Sequence, residues 1–436
     1  MELSQVFGVS SSQVASYVER PDVDNAFASA LEQRRHIVVY GASKQGKTAL
    51  VSRHISYSDN VVIRLEPASA LEDIYLAILR NAEVRIEKVR REASNSGAEA
   101  SIGVEAKATI FGFGGGSATA NGGVSSGRSS ETEMEEIPFN LSLAQDVVEL
   151  LRRVRFDKKV ILENFHYVSE EEQRRLAFAL RSLEEMGLLF VIVGVWRERD
   201  KLRNYCGDLT DRLIEIPVEP WDDGDFYRVA REGARMLNVE LAPAVVAECV
   251  RSSFGSIGVF QELMKETFSA AGVQRRQDAV QVIGDASYAR AAIEVKSGQY
   301  RTVHAKSLTL VATGHVSQQQ AAGRQPLFLP YYLVRAIVRA GSSFIRGMSR
   351  SELTQAIKAE HHRPTDVRSA DISNLLNRLC SLQSKKGINP PIIDYDSEAR
   401  HLFAVDSTFF FFLKNCDLES FLDEMVCPLE AVDDTV

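Results

Sequence analysis

The sequence predicts an α/β fold in successive parts. A five-stranded parallel sheet flanked by helices comes first, then a helical bundle, then a small domain of helices and a two-stranded ribbon. Three observations predict it. A glycine loop, Gly41-Ala42-Ser43-Lys44-Gln45-Gly46-Lys47-Thr48, stands between an apolar β-branched run and a helical pattern. Strand-like apolar runs then alternate with helical patterns, as in a parallel sheet covered on both faces. The C-terminal part abandons that rhythm for helices followed by two short strands.

The elements follow in order. His36-Ile37-Val38-Val39-Tyr40 is a buried strand, and residues 49–54 read as a helix. Residues 61–66 form a second strand ended by Pro67, and 71–91 a long helical pattern. From 94 to 136 the chain is rich in Gly, Ser, Ala and Thr, with strand-like alternation over 102–111 and a loop from Gly112 to Gly116. This is expected as a β-hairpin or partly disordered insertion. Residues 143–154 form a helix, and Val160-Ile161-Leu162 a third strand ending in Glu163-Asn164-Phe165-His166. A helix at 170–186 leads to a fourth strand at 188–195, ending in Trp196-Arg197. The fifth strand, 213–218, follows Leu209-Thr210-Asp211-Arg212.

Residues 221–273 read as purely helical, with Pro243 in a first turn. Residues 277–311 are mixed and largely helical. Helices are expected at 331–340, 351–360 and 370–384, then strands at 391–395 and 401–405, which is the winged-helix plan. The run Phe409-Phe410-Phe411-Phe412 reads as core and interface packing. The expected divisions are 1–220, 221–273, 274–326 and 327–436.

Length and composition suit this plan. The 436 residues suggest about two or three domains. At 45% hydrophobic and 25% charged, the chain is an ordinary globular one. A net charge of −8 excludes a global basic field for nucleic acid, though not a local patch. The five cysteines are scattered with no C-x-x-C pair, so they are expected as buried or inert thiols of a reducing compartment rather than a metal site. No signal pattern opens the chain and no apolar run is long enough to span a bilayer, so no membrane role is expected and the location is read as cytoplasmic.

The loop fits G-x-x-x-x-G-K-[ST] at every fixed position. Backbone N–H groups from Gly41 through Ala49 can wrap a polyphosphate at a helix N-terminus. Lys47 reaches the β- and γ-phosphates, and the Thr48 hydroxyl holds Mg²⁺. Glu163, at the end of its strand, is the second Mg²⁺-side group. Asn164 stands where a catalytic carboxylate often stands. Asparagine orients water but cannot take its proton, which predicts slow ATP hydrolysis or a switch that holds ATP. Alternatively His166 or a partner's side chain supplies the base. Arg197 and Arg212 are expected on the nucleotide edge, one contacting the γ-phosphate and the other a neighbour's nucleotide as an arginine finger. An ordinary ion pair is the alternative for either. Tyr17 and Val18, one helix before the first strand, can lie against a purine base.

Taken together, these motifs resemble the AAA+ superfamily, nearest to its STAND and Orc/Cdc6-like members. Gly41–Thr48 is similar to the Walker A loop and Val160–Asn164 to Walker B. Val191–Arg197 resembles sensor 1, Leu209–Arg212 the arginine-finger box, and Tyr17–Arg20 the adenine-side box. Residues 222–273 then resemble the helical lid and 327–423 the winged helix. The sequence departs from the STAND pattern at Gly255-Ser256-Ile257-Gly258, where a Gly-x-Pro motif is usual, and no lid arginine takes the sensor 2 position. No repeat sensor or effector domain is seen. The resemblance implies ATP and Mg²⁺ as cofactors, a homo-oligomer that completes the site through Arg212, and a partner protein that senses or executes. It implies a molecular switch, with bacterial defence or stress signalling as a setting. The alternative is a DNA-binding initiator or loader. Its winged helix carries Lys358, Arg363, Arg368, Arg378, Lys385, Lys386 and Arg400, interspersed with Glu360, Asp366, Asp371 and Glu398. A scaffold that binds nucleotide without turnover is the third possibility.

Overall fold

The computed structural model describes residues 1–9, 14–92, 103–111, 134–314 and 325–429. Its central sheet has five parallel strands: β1 (His36–Gly41), β2 (Val61–Arg64), β3 (Val160–Glu163), β4 (Phe190–Val195) and β5 (Leu213–Pro217). Their order is β2-β3-β4-β1-β5. Register is plain from the pairs Val62↔Ile161, Ile161↔Val191, Val38↔Ile192 and Val38↔Glu215. Successive side chains leave opposite faces of a strand, and two cores result. Val38, Tyr40, Leu162 and Ile192 meet Tyr75, Leu150 and Leu176 on one face. Ile37, Val39, Ile161 and Val191 meet Phe27, Leu50 and Val51 on the other. Fully burying one such side chain stabilises by about 1.5–3 kcal/mol. The strands that carry the site are therefore its firmest support.

The helical pattern expected over 71–91 stops early. The helix is Leu71–Asn81, and Glu83 takes a left-handed conformation (φ 60°) that ends it. Arg85–Glu92 is a strand, antiparallel to Gly103–Phe111, which pairs in turn with Met134–Asn140. Ladder partners far along the chain override the local helical pattern here. The insertion is thus a three-stranded antiparallel sheet in its described part. Residues 93–102 and 112–133, with the Gly112 to Gly116 loop, lie outside the described residues.

Beyond β5 come the helices Asp223–Leu237, Pro243–Ser253 and Ile257–Ala270. This stretch is not purely helical. Val239–Leu241 is a short strand, parallel to Gln281–Ile283, entered through Asn238 at φ 58°. A 26-residue helix, Ser287–Ala312, runs on to the C-terminal domain. That domain has helices Leu329–Ala340 and Arg350–Glu360, and the helix expected at 370–384 divides at Arg378 into Ser369–Asn377 and Leu379–Lys385. The ribbon Ile393–Asp396 and His401–Ala404 gains a third strand, Met348–Ser349. The first ribbon strand starts after Pro391, which has no N–H for the ladder.

The phenylalanine run lies on the helix Ser407–Asn415 and is buried on every side, as an all-round apolar helix must be. Phe409, Phe410 and Phe412 belong to the winged-helix core, whereas Phe411 belongs to the core of the preceding helical bundle. This helix therefore cements the two together. All five cysteines are free, but only Cys206 and Cys249 are buried. Cys380 lies on an exposed face, its thiol donating to Asp394 at 2.9 Å. Among the described residues no helix is long and apolar enough to cross a membrane.

Candidate nucleotide-binding site

The carboxyl ends of β1, β3, β4 and β5 converge on one edge of the sheet, where such folds bind ligands. Lys44 (φ 59°) and Gly46 (φ 82°) adopt the left-handed conformation that curls the loop, and Gly46 caps the helix Lys47–His54. The loop amides at that helix start suit an anion. Lys47 is buried, its ammonium donating to the Gly41 carbonyl at 3.1 Å and to that of Ala42. Burial lowers the amine to about 8, and Glu219 only partly opposes this. Thr48 is exposed beside it.

Glu163 is buried at the end of β3. It accepts from the Tyr57 hydroxyl at 2.8 Å and faces Arg64 Nε at 3.4 Å. Asn164 is left-handed (φ 61°) and leads into the turn Phe165–Tyr167. His166 in that turn is without a protein partner on either ring nitrogen. Burial, Lys47 and Lys201 lower it to about 3, so it is a neutral imidazole at physiological pH. Arg197 donates to Glu219 Oε1 at 3.0 Å and lies over Phe410. Glu219 also accepts from the Ala42 amide at 2.7 Å and from Gln45 Nε2 at 3.0 Å.

A cavity of about 730 Å³ joins these groups. Tyr17, Val18, Ser43, Lys44, Gln45, Gly46, Lys47, Thr48, Ala49, Glu163, Asn164 and His166 all line it, as do Trp221, Val229, Ile257 and Gln261. Tyr17 is oriented by its hydroxyl donating to Asp24 at 2.7 Å. Gly41 and Ala42, the first two residues of the loop, are not part of that lining, and their carbonyls accept from Lys47. Arg197 reaches the loop only through Glu219. Arg212 is not on this edge at all, which corrects the sequence-based placement. It precedes β5, its carbonyl accepting from His36 N–H at the amino ends of the strands. At about 3.3 Å per residue, β5 separates it from the loop by roughly 16 Å. Its guanidinium is paired with Glu184 and, at 2.9 Å, with Glu185.

Two other parts of the chain close on the loop. Gly258 N–H donates to the Lys44 carbonyl at 2.9 Å, so close that a Cβ at 258 would stand 2.4 Å from Lys44 Cβ. From the winged helix, the Val405 carbonyl accepts from Ser43 N–H at 3.0 Å, and the Ser407 hydroxyl donates to the Ser43 carbonyl at 2.9 Å. Ser43 Oγ donates to Asp406 at 3.1 Å, and Gln45 Nε2 to Ser407 Oγ at 3.3 Å. Burial pushes the Asp406 carboxyl up, but His304, Lys44 and the Thr408 hydrogen bonds outweigh it and hold it below its ordinary value. Sequence reading missed Glu219, Trp221, Gly258, Asp406 and Ser407. Glu219 was findable as a carboxylate just past a strand end. Asp406 carries a helix-capping signal, but nothing local shows that the capped turn meets the loop.

Magnesium suits the donor set. The Thr48 hydroxyl and the Glu163 carboxylate are hard oxygens, and Mg²⁺ takes its remaining ligands from water and phosphate. Glu163 keeps lone pairs beyond those engaged by Tyr57 and Arg64. Among the described residues no cluster of three or more His, Cys, Asp or Glu offers a metal site made of protein alone.

Sheet order and phosphate loop, with the helical lid and winged helix that follow, make the architecture an α/β P-loop fold. No family model and no curated protein matches the sequence. Solved structures do match in shape. The Walker-type ATPase PABY2304 of Pyrococcus abyssi is 12% identical with a TM-score of 0.47, covering 92% of this chain and 97% of that one. The ORC2 protein of Aeropyrum pernix is 11% identical with a TM-score of 0.45, covering 98% of each. The Holliday junction branch migration motor RuvB of Thermotoga maritima is 11% identical with a TM-score of 0.40, covering 93% and 98%.

Proposed function

We propose that the chain is an ATP-dependent switch in which the phosphate loop reports its occupancy to the winged helix. The main chain of Ser43 carries this reading. Its N–H and its C=O are both bonded to the winged-helix turn, to Val405 and Ser407. Polyphosphate draws on the loop's amides and on Lys47, which otherwise spends its donors on loop carbonyls. A shift of the loop toward phosphate therefore strains or releases the Ser43 contacts, and the two domains respond together. When bound, Mg²⁺ neutralises phosphate charge; Thr48 and Glu163 hold it. Hydrolysis is slow in this reading because Asn164 orients water without accepting its proton. Arg212 acts on a neighbouring copy's nucleotide, so turnover follows assembly in the cytoplasm. A partner protein supplies the trigger or the output, with defence or stress signalling as the setting the resemblance implies. Hydrogen exchange at residues 405–409, with and without Mg·ATP, tests the proposal. Altered protection supports it, and unchanged protection at saturating nucleotide refutes it.

A second reading, DNA binding, is favoured by the outer face of Ser369–Asn377, where Asn374, Asn377 and Arg378 are exposed beside Arg368. Binding to duplex DNA that weakens steeply with salt supports it. No binding at low salt removes it.

A further inference from the structure

The link between β5 and the first lid helix contains one side chain whose chemistry the fold leaves unused. Trp221 lines the cavity beside Gly46 and Ile257. Its atom Cζ2 stands 3.5 Å from where a Gly46 Cβ would be. Cζ2 is bonded to the ring carbon that carries Nε1, so the N–H lies on the edge of the indole facing the last glycine of the phosphate loop. The ring cannot turn away freely. The Arg20 guanidinium lies 3.7 Å over its face, and Arg20 is itself buried and held by the Val218 carbonyl at 2.8 Å. A cation on the ring face also draws electron density from the indole and sharpens its N–H as a donor.

That N–H is buried and has no protein acceptor. Buried donors are nearly always paired, because leaving one unpaired is costly. The other tryptophan makes a useful contrast. Trp196 Nε1 is also unpartnered, but that ring sits in the core between Tyr40 and Phe165 and does not line the cavity. Of the two tryptophans, it is Trp221 that places its orphan donor where a ligand is received.

We propose that the Trp221 indole N–H donates to an oxygen of the bound nucleotide, on its ribose or phosphate, and so ties nucleotide to the lid hinge. This rests on the nucleotide reading of the site and adds a specificity-determining residue to it. The helix Asp223–Leu237 starts two residues on, so a ligand that seats Trp221 also sets where the lid begins.

The chain contains two tryptophans, which makes the test direct. Mg·ADP is titrated into the full-length protein and its W221F variant by calorimetry, following tryptophan emission in parallel. Phenylalanine keeps an aromatic ring for Arg20 to lie over and removes the donor together with the five-membered ring that carries it. Expected are an emission change in the wild type that W221F lacks and a dissociation constant raised about tenfold, the loss of one hydrogen bond. Equal affinity in a folded W221F overturns the assignment of Trp221 and leaves the nucleotide reading intact. A wild type that binds no nucleotide overturns both. Should W221F not fold, the wild type still decides: of its two indole N–H resonances, one moves downfield at saturating Mg·ADP. If neither moves, the proposal falls.

Discussion

The Ser407 hydroxyl donates to the Ser43 carbonyl at 2.9 Å, joining the winged helix to the phosphate loop across 364 positions of chain. Ser407 is buried and also accepts from Gln45. In Ser407→Ala the Ser43 carbonyl and the Gln45 amide both lose a partner. The expected cost is about 1–3 kcal/mol of unfolding free energy, measured by denaturant titration. Nucleotide still binds, but hydrogen exchange at 405–409 stops responding to it. A variant whose winged helix answers Mg·ATP as the wild type does would show that coupling runs elsewhere.

Acid should destabilise the fold in two overlapping steps. His36 is held neutral, since Nε2 is bonded to the Leu180 carbonyl while Nδ1 accepts from Phe190 N–H at 3.1 Å. Burial lowers it to about 4, and likewise His304, with His166 at about 3. All three sit below their ordinary 6.5 when folded. The unfolded chain therefore takes up their protons first, and stability falls as pH drops from about 6.5 toward 4. Asp406, held below 3.8, adds a loss at still lower pH. Thermal midpoints measured from pH 7 to 3.5 should decline throughout. A flat profile between 6.5 and 4.5 contradicts the neutral histidines.

How legible this was in the sequence depended on range. The strands, the loop and the lid helices are local patterns, and Val38, Lys47 and Glu163 lie where periodicity and motif put them. The failures are long-range. Arg85–Glu92 becomes a strand because Gly103–Phe111 pairs with it. Arg212 shares its segment with a strand end, but it is the amino end. The Ser43–Ser407 contact joins distant domains, and neither residue's own neighbourhood points to the other.

If Lys47 holds the phosphates, nucleotide affinity should depend on pH. Its free amine is lowered to about 8, and polyphosphate favours the charged form. Above pH 8, binding must take up a proton, so affinity falls by up to about tenfold per pH unit. Calorimetry at pH 7, 8 and 9 in buffers of different ionisation heat measures both affinity and proton uptake. Lys47→Ala should lose binding altogether. Affinity unchanged from pH 7 to 9 would refute the assignment of Lys47 to the phosphates.

Asn164 lines the cavity at the end of β3, and its amide has no basic site for a proton. Asn164→Asp should raise phosphate release, by roughly 10²-fold where general-base catalysis is recovered in full. Glu163→Gln should lower release and weaken its dependence on Mg²⁺. Steady-state phosphate assays read both. Should Asn164→Asp leave the rate unchanged while binding persists, the proton goes to another group, and His166, neutral and unpartnered in the same cavity, is the next to replace.

Arg212 separates binding from assembly. It lies at the amino ends of the strands, bonded to Glu184 and Glu185, and cannot touch the nucleotide held by its own loop. Ion pairs this close to solvent add little to stability, so Arg212→Ala should unfold at nearly the wild-type temperature and bind nucleotide with wild-type affinity. If a neighbour's nucleotide receives this arginine, specific activity in the wild type rises with protein concentration, and Arg212→Ala abolishes the rise. Mixing Arg212→Ala with Lys47→Ala then restores activity, because one copy brings an intact loop and the other an intact arginine. Specific activity independent of concentration, with no rescue on mixing, would leave Arg212 as a surface ion pair and make the switch a property of the single chain.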